Sequence, residues 1–444
     1  MVALSAATVG EGDCGDRATP RLLRFEARIP TLPLTPNSEQ IMTRIFVPKE
    51  RRAHEHRVAA TPETVTKLVA LGFAVDVEHG AGDSAHIPDD DYAQAGANLV
   101  AGGSESWRNA ALVLKVAAPE RDVDGDDELD RLASGAILIA LLAPYRDLER
   151  VRELAARGVT SLAMELVPRI TRAQSMDALS SQANVGGYKA VILAAERLDR
   201  YFPMLMTAAG TIRPARVVII GGGVAGLQAL ATAKRLGAVV EVSDIRPDVK
   251  EQVESLGGRF IDLPELESGE GEGGYAKVVT DDFLKRQREI LTRHLASADA
   301  VITTAQVPGA KAPVLLTEAM VAAMKPGSVI IDLAAEQGGN CALTQAGEEI
   351  EAGGVRILGP INLPATVPLD ASRLYARNLL HLVEHLADDG AINIDAEDEI
   401  TGAALLTHDG AVCHPRVAAE IDAQKSDQDR GDEDAATSNG ESGS

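Results

Sequence analysis

Four short passages hold residues whose types and spacing could do chemistry. In the first, GGGVAG, Gly221, Gly223 and Gly226 stand in G-x-G-x-x-G spacing between an apolar run, Val217 to Ile220, and a helical pattern. Asp244 follows Gly226 by 18 residues, at the end of a second apolar run. This is the layout of a dinucleotide site: the first glycine makes a tight turn, the second lets backbone approach a pyrophosphate, and the third lets helix and strand pack closely. The phosphates would meet the helix N-terminus. A carboxylate at Asp244 accepts both ribose hydroxyls and repels a 2'-phosphate, which favours NAD over NADP. Arg246 works against that preference as a nearby cation, although a solvated surface arginine explains it as well.

The second passage, PRITRAQSMDALSSQANVGGYKA, runs from Pro168 to Ala190 and crowds Arg, Gln, Asp and Ser into one loop-to-helix stretch. Its residue types fit either a polar loop facing a ligand or a capped helix start in which Asp177 and Ser180 satisfy backbone. The third, DLPELESGEGEGGYAK from Asp262 to Lys277, is too glycine-rich and acidic for a regular element. It is an inert surface loop or a lid in which Tyr275 closes on a ligand. The fourth, HLVEH from His381 to His385, formally matches the H-x-x-E-H of inverted zinc peptidases, with both histidines on one helical face. No third ligand is evident and strings this short recur by chance, so no metal is expected. Cys341 has no histidine beside it in sequence and reads as a small buried side chain.

Positioning such groups takes a layered scaffold, and the chain alternates strand and helix patterns as a parallel sheet covered on both faces does. TRIFVP, GFAVDVEHG, ALVLKV and AILIALL read as strands, with helices opening at Thr61-Pro62-Glu63 and in LERVRELAARG. A long helical passage, 176–202, leads to the second unit, which starts at Ala215. The expected architecture is α/β, with two Rossmann-like doubly wound parallel-sheet domains and a cleft between them. Residues 42–175 with 365–415 form the first domain, and 176–364 the linking helix and nucleotide-binding domain. A disordered leader, 1–41, and an acidic disordered tail, 416–444, flank them.

The 444 residues carry 66 acidic and 43 basic side chains, a formal charge of -23 that argues against nucleic acid as a partner. So acidic and lysine-poor a surface suits a high-salt cytoplasm, where self-repulsion is screened. Three scattered cysteines, Cys14, Cys341 and Cys413, offer neither a disulfide framework nor metal-ligand spacing. The longest apolar run, Ala136 to Ala143, falls far short of the roughly 20 residues a membrane helix needs.

Taken together, VPKE with HRVAATPETV, RAQSMDALSSQAN, GGGVAG with SDIR, ESLGGRFIDL, GGYAK, MKPGSVIIDLAAEQGGN and DGAVCHP resemble the NAD-binding alpha subunit, domain I, of the proton-translocating NAD(P) transhydrogenases, from about Met42 to Pro415. The resemblance implies direct hydride exchange between NAD(H) bound here and NADP(H) on a partner. It places the working groups beside the nicotinamide on Arg169, Gln174, Asp177 and Ser180, with Tyr275 closing over them. It sets Gly221, Gly223, Val224, Ala225 and Gly226 at the pyrophosphate, Asp244, Ile245 and Arg246 at the adenosine ribose, and Gly274 and Gln287 in the lid and its base. It also implies a homodimer and two partners, a membrane subunit that moves protons and an NADP-binding beta subunit. The chain would then sit in the cytoplasm against the inner face of the membrane. Gln306 departs from the pattern, which expects an apolar residue such as Leu.

Alanine dehydrogenase is the runner-up, since Lys115 and Arg57 fit its pattern equally. That enzyme uses a histidine in an HLAP-like turn as proton donor, where this chain has LLAP with Leu141, and a catalytic aspartate where this chain has Glu336. Leucine cannot exchange a proton. Lys115 and Arg57 are therefore expected to be structural. A chain that kept the pocket and lost its partners, serving as a NAD sensor, is the non-catalytic alternative.

Overall fold

The structure is a computed structural model that describes residues 42–121, 125–263, 281–307 and 309–424, with backbone alone for 281–284. The expected leader, the end of the acidic tail, and Gly274 and Tyr275 of the expected lid lie outside the described residues.

Two sheets organise the chain. The first has eight strands in the order Ala411–Val412, Leu405–His408, Thr160–Ala163, Ile137–Leu141, Leu112–Ala117, Arg44–Val47, Ala74–Glu78, Asn98–Val100. Its strands pair in parallel except for Leu405–His408, which runs antiparallel both to Thr160–Ala163 and to Ala411–Val412. Leu112–Ala117 is buried at every position because helices cover both faces, which is why it reads as an unbroken apolar run rather than an alternating one. The second sheet has seven strands in the order Arg259–Phe260, Val239–Ser243, Arg216–Ile220, Ala300–Thr303, Val329–Asp332, Val355–Leu358, Glu349–Ala352, all parallel but for the last pair. Each sheet buries an apolar cluster on either face.

Strand order in the second sheet decides where a ligand can sit. After Arg216–Ile220 the chain moves to Val239–Ser243 on one side and later to Ala300–Thr303 on the other. Such a reversal opens a crevice at the carboxyl ends of the strands, and GGGVAG falls there.

The helix Ala178–Arg197 links the two units and packs on the helix Val224–Arg235 and on the strands Ala300–Thr303 and Val329–Asp332. Gly187 makes that crossing possible, since a Cβ there would lie 2.1 Å from the Ala225 carbonyl oxygen. Its low amphipathicity follows from this, as both sides of the helix are covered.

The tail begins later than expected. Residues 415–424 continue as helix, and Val417 and Ile421, four apart on one face, are buried in the first unit's core. Two apolar side chains at helical spacing suffice to dock a segment whose composition is otherwise that of a solvated tail. Among the described residues no helix is long and apolar enough to cross a membrane.

Candidate active site between the two sheets

The glycine turn is built by exclusion. Gly221, at φ +102°, occupies left-handed backbone, and a Cβ there would lie 2.5 Å from Thr304 Oγ1. Gly226 lets the helix Val224–Arg235 start against the turn, for a Cβ there would stand 1.9 Å from the Gly221 carbonyl oxygen. Around Gly223 the space is open, with no atom within 4 Å of a Cβ built there. No side chain caps the helix that follows. Open room beside an uncapped N-terminus fits a pyrophosphate, which the first amides of a helix and its dipole both favour.

Asp244 lies just past the strand Val239–Ser243. Its Oδ2 accepts the Gly222 amide at 2.7 Å and Arg246 Nη2 at 2.9 Å, and its Oδ1 accepts the Arg246 amide at 2.9 Å and Nε at 3.0 Å. Burial pushes the carboxyl up, but the Arg246 guanidinium and the two amides outweigh it and hold it below the ordinary carboxylate range. Arg246 is thus not simply a solvated surface residue, although its far end is exposed. Val224 and Ile245 are exposed apolar side chains on the two segments flanking this crevice.

The polar passage resolves into two pairs. Asp177 caps the helix Ala178–Arg197, its Oδ1 accepting the Ser180 amide at 2.8 Å and its Oδ2 the Ser180 hydroxyl at 2.6 Å. The capping alternative is therefore what these two residues do here. Arg169 and Gln174 are exposed, and their side chains have no hydrogen-bond or ion-pair partner among the described residues. Ser180 precedes Gly187 by about two helical turns, roughly 10 Å along the axis. Since Gly187 touches the first turn of the glycine-turn helix, the passage stands within one mononucleotide's reach of the pyrophosphate position. Gln287 is buried on the helix Asp281–Leu295.

A buried polar network holds the cleft's two sides together. Arg57 donates to Glu55 at 2.8 and 2.7 Å, to Gln182 Oε1 at 2.8 Å and to Asn362 Oδ1 at 3.1 Å. Asn362, in left-handed backbone at φ +45°, donates its Nδ2 to Glu55 Oε2 at 3.0 Å and its amide to Glu336 Oε1 at 2.6 Å. Glu336 also pairs with Arg146 of the first unit at 3.3 Å. Lys115 is buried between Glu50 at 3.0 Å and Glu128 at 3.1 Å; burial works against its charge, but the two carboxylates outweigh it. With these partners, Arg57 and Lys115 are structural groups.

Other sequence candidates separate. Leu141 ends the strand Ile137–Leu141 half-buried, and the turn after it is held by Glu165, which accepts the Leu142 amide at 3.0 Å and the Ala143 amide at 2.7 Å. No titrating group occupies the Leu141 position. Gln306 donates Nε2 to the Leu333 carbonyl at 2.6 Å, so its amide caps backbone where an apolar side chain was expected. His381 pairs with Glu384 and His385 with Asp398, each imidazole on its own carboxylate. Among the described residues no cluster of His, Cys, Asp and Glu could hold a metal ion. Burial raises the Cys341 thiol.

Residues 46–186 match the N-terminal domain, and 190–415 the C-terminal domain, described as alanine dehydrogenase/PNT. The chain is 49% identical over 381 residues to the first of the polypeptides that make up the NAD(P) transhydrogenase alpha subunit of Rhodospirillum rubrum, covering 85% of this chain and 99% of that one. The chain belongs to the alanine dehydrogenase/PNT family, among the NAD(P) transhydrogenase alpha subunits. The crystal structure of a transhydrogenase from Sinorhizobium meliloti superimposes with a TM-score of 0.75 at 46% identity, over 83% of this chain and 99% of that one. Alanine dehydrogenase of Mycolicibacterium smegmatis is more distant, at 31% identity over 85% of this chain and 96% of that enzyme. Within this transhydrogenase-family fold, Glu165, Gln182, Asn340 and Asn362 are structurally central, yet sequence reasoning missed them. Gln182 and Asn340 lie in quoted motifs; nothing local marks Glu165 or Asn362.

Proposed function

We propose that this chain is the NAD(H)-binding alpha subunit of a split proton-translocating transhydrogenase, exchanging a hydride directly with NADP(H) held by a beta subunit while a membrane subunit moves protons. The observation that carries the reading is the pairing of two features across the cleft. An open, uncapped glycine turn with Asp244 lies on one side, and the unpartnered Arg169 and Gln174 lie beside the Asp177–Ser180 cap on the other. The relatives at 49% and 46% identity support it, and the name of the first implies other subunits.

In this reading the amides after Gly223, with Val224, Ala225 and Gly226, hold the pyrophosphate, and Asp244 receives the adenosine ribose. Arg169 and Gln174 would grip the carboxamide and ribose at the other end, with Asp177 and Ser180 fixing the start of the helix that presents them. Bound NAD(H) supplies or accepts the hydride. No imine or hydroxyl intermediate needs a proton, so the protein's task is orientation, which suits a site whose LLAP turn carries Leu141. The chain would sit in the cytoplasm on the inner face of the membrane through its partners, as a homodimer.

The test follows hydride transfer from NADH to an NADP analogue by the purified chain, with and without an NADP-binding partner subunit, with pyruvate plus ammonium in parallel. Transfer that requires the partner is the expected result. NADH oxidation by pyruvate and ammonium with this chain alone would replace the proposal with an amino-acid dehydrogenase.

A further inference from the structure

Asp332 and Asn340 form a buried relay that the proposed reaction leaves without a role. Asp332 ends the strand Val329–Asp332 with no exposure to solvent. Its carboxylate accepts five hydrogen bonds: Thr303 Oγ1 at 2.8 Å, the amides of Ala334, Asn340 and Cys341 at 3.0, 2.8 and 3.0 Å, and Thr344 Oγ1 at 2.7 Å. Five donors fill a carboxylate that offers about four lone-pair sites. What they accomplish is geometric, winding the chain from 334 to 344 around one charge.

Two glycines make the winding possible. Gly338 and Gly339 lie at φ +95° and +81°, and a Cβ on Gly339 would stand 2.9 Å from Asp332 Oδ2 and 2.8 Å from Thr344 Cβ. The result delivers Asn340, itself wholly buried, to a neighbouring segment. Its Oδ1 accepts the Ala305 amide at 3.0 Å, and its Nδ2 donates to the carbonyls of Ala305 at 2.8 Å and Pro313 at 2.9 Å. Its own carbonyl accepts the amides of Leu315 and Leu316. One side chain thereby ties Ala305 to Pro313. Directly before Ala305, the Thr304 hydroxyl donates to the Gly221 carbonyl at 3.0 Å, so the relay ends on the glycine turn.

Topology says which half of a dinucleotide this concerns. Asp244 lies on the Val239–Ser243 side of the switch point, whereas Ala305 and Asn340 follow the strands Ala300–Thr303 and Val329–Asp332 on the other. A dinucleotide with its adenosine at Asp244 and its pyrophosphate at the turn lays its remaining half over those two strand ends. We propose that Asp332 and Asn340 are positioning residues for the nicotinamide half, fixing the backbone at Thr304–Gln306 against which the ring and its ribose rest. This rests on the NAD(H) reading above.

The test compares ADP, which reports the adenosine half and pyrophosphate, with NADH, which adds the other half, by titration calorimetry on the full chain. Asn340→Ala should bind ADP within about twofold of wild type and NADH at least tenfold more weakly, a ratio worth about 1.4 kcal/mol. A parallel loss of both ligands, or unchanged NADH affinity, would overturn the positioning role. Thr344→Val, which removes one of the five donors, decides the matter if Asn340→Ala does not fold: a smaller loss confined to NADH supports the proposal, and an equal loss or none overturns it. Failure of the wild-type chain to bind NADH would instead sink the cofactor reading.

Discussion

Alanine substitutions at Gly223 and Gly226 should fail in opposite ways, and the difference can be worked from the geometry. At Gly226 an added methyl would stand 1.9 Å from the Gly221 carbonyl oxygen and 2.9 Å from its carbonyl carbon. Carbon and carbonyl oxygen come no nearer than about 3.3 Å even where they attract, so helix and turn would have to part by roughly 1.4 Å. Both sides of that contact are backbone held in a buried sheet, and overpacking of this kind costs about 1–3 kcal/mol or somewhat more. At Gly223 no atom lies within 4 Å of the added methyl, and φ −74° with ψ −168° suits alanine. The expected stability cost is the N-cap preference alone, under about 1 kcal/mol. Yet the methyl would fill the room assigned to the pyrophosphate. Guanidinium unfolding should therefore show Gly226→Ala lowered in midpoint and Gly223→Ala nearly unchanged, while calorimetry shows Gly223→Ala binding NADH at least tenfold more weakly, about 1.4 kcal/mol. Wild-type NADH affinity in a folded Gly223→Ala chain would refute the placement of the phosphates, and a wild-type midpoint for Gly226→Ala would refute the packing argument.

Two further outcomes follow from the charges. Arg57→Met should cost about 3–5 kcal/mol at neutral pH, since it leaves Glu55 buried without its cation. Burial raises the Glu55 carboxyl but Arg57 outweighs it, so its folded value lies below 4.5; the pair's contribution is full above that pH and is lost as pH falls through the folded value. The stability gap between wild type and variant, followed by urea unfolding, should thus narrow on acidification, and a gap constant down to pH 3 would contradict the assignment. A net charge of -23 should make the melting temperature fall sharply as salt is withdrawn, and a flat response between molar and millimolar salt would remove the high-salt argument.

Much of the layered fold was legible because parallel strands covered on both faces are continuous apolar runs and the helices between them carry capping and glycine stops. The glycine turn was legible because its constraint is local: three glycines and an acid at fixed spacing describe one strand, turn and helix. The strand Glu349–Ala352 was not, being an edge strand of alternating exposure whose antiparallel pairing to Val355–Leu358 depends on a neighbour. The docking of Val417 and Ile421 was hidden for the same reason, since two apolar residues in an acidic tail become core only when a surface lies against them.

The sequence by itself determined that this chain has a dinucleotide turn, an acid to follow it, a crowded polar passage and no imidazole at Leu141, because each is a matter of residue identity at short range. Only the tertiary structure decided what those residues face. Asp177 and Ser180 became a cap while Arg169 and Gln174 remained unpaired; Arg246 closed on Asp244; and Arg57 and Lys115 were consumed by buried carboxylates. Asn340 reaches Ala305 across 35 positions, and Arg57 reaches Asn362 across 305. Hydrogen bonds between residues so far apart leave no trace in local spacing, because the partner is chosen by how the sheets stack and where the strand order reverses.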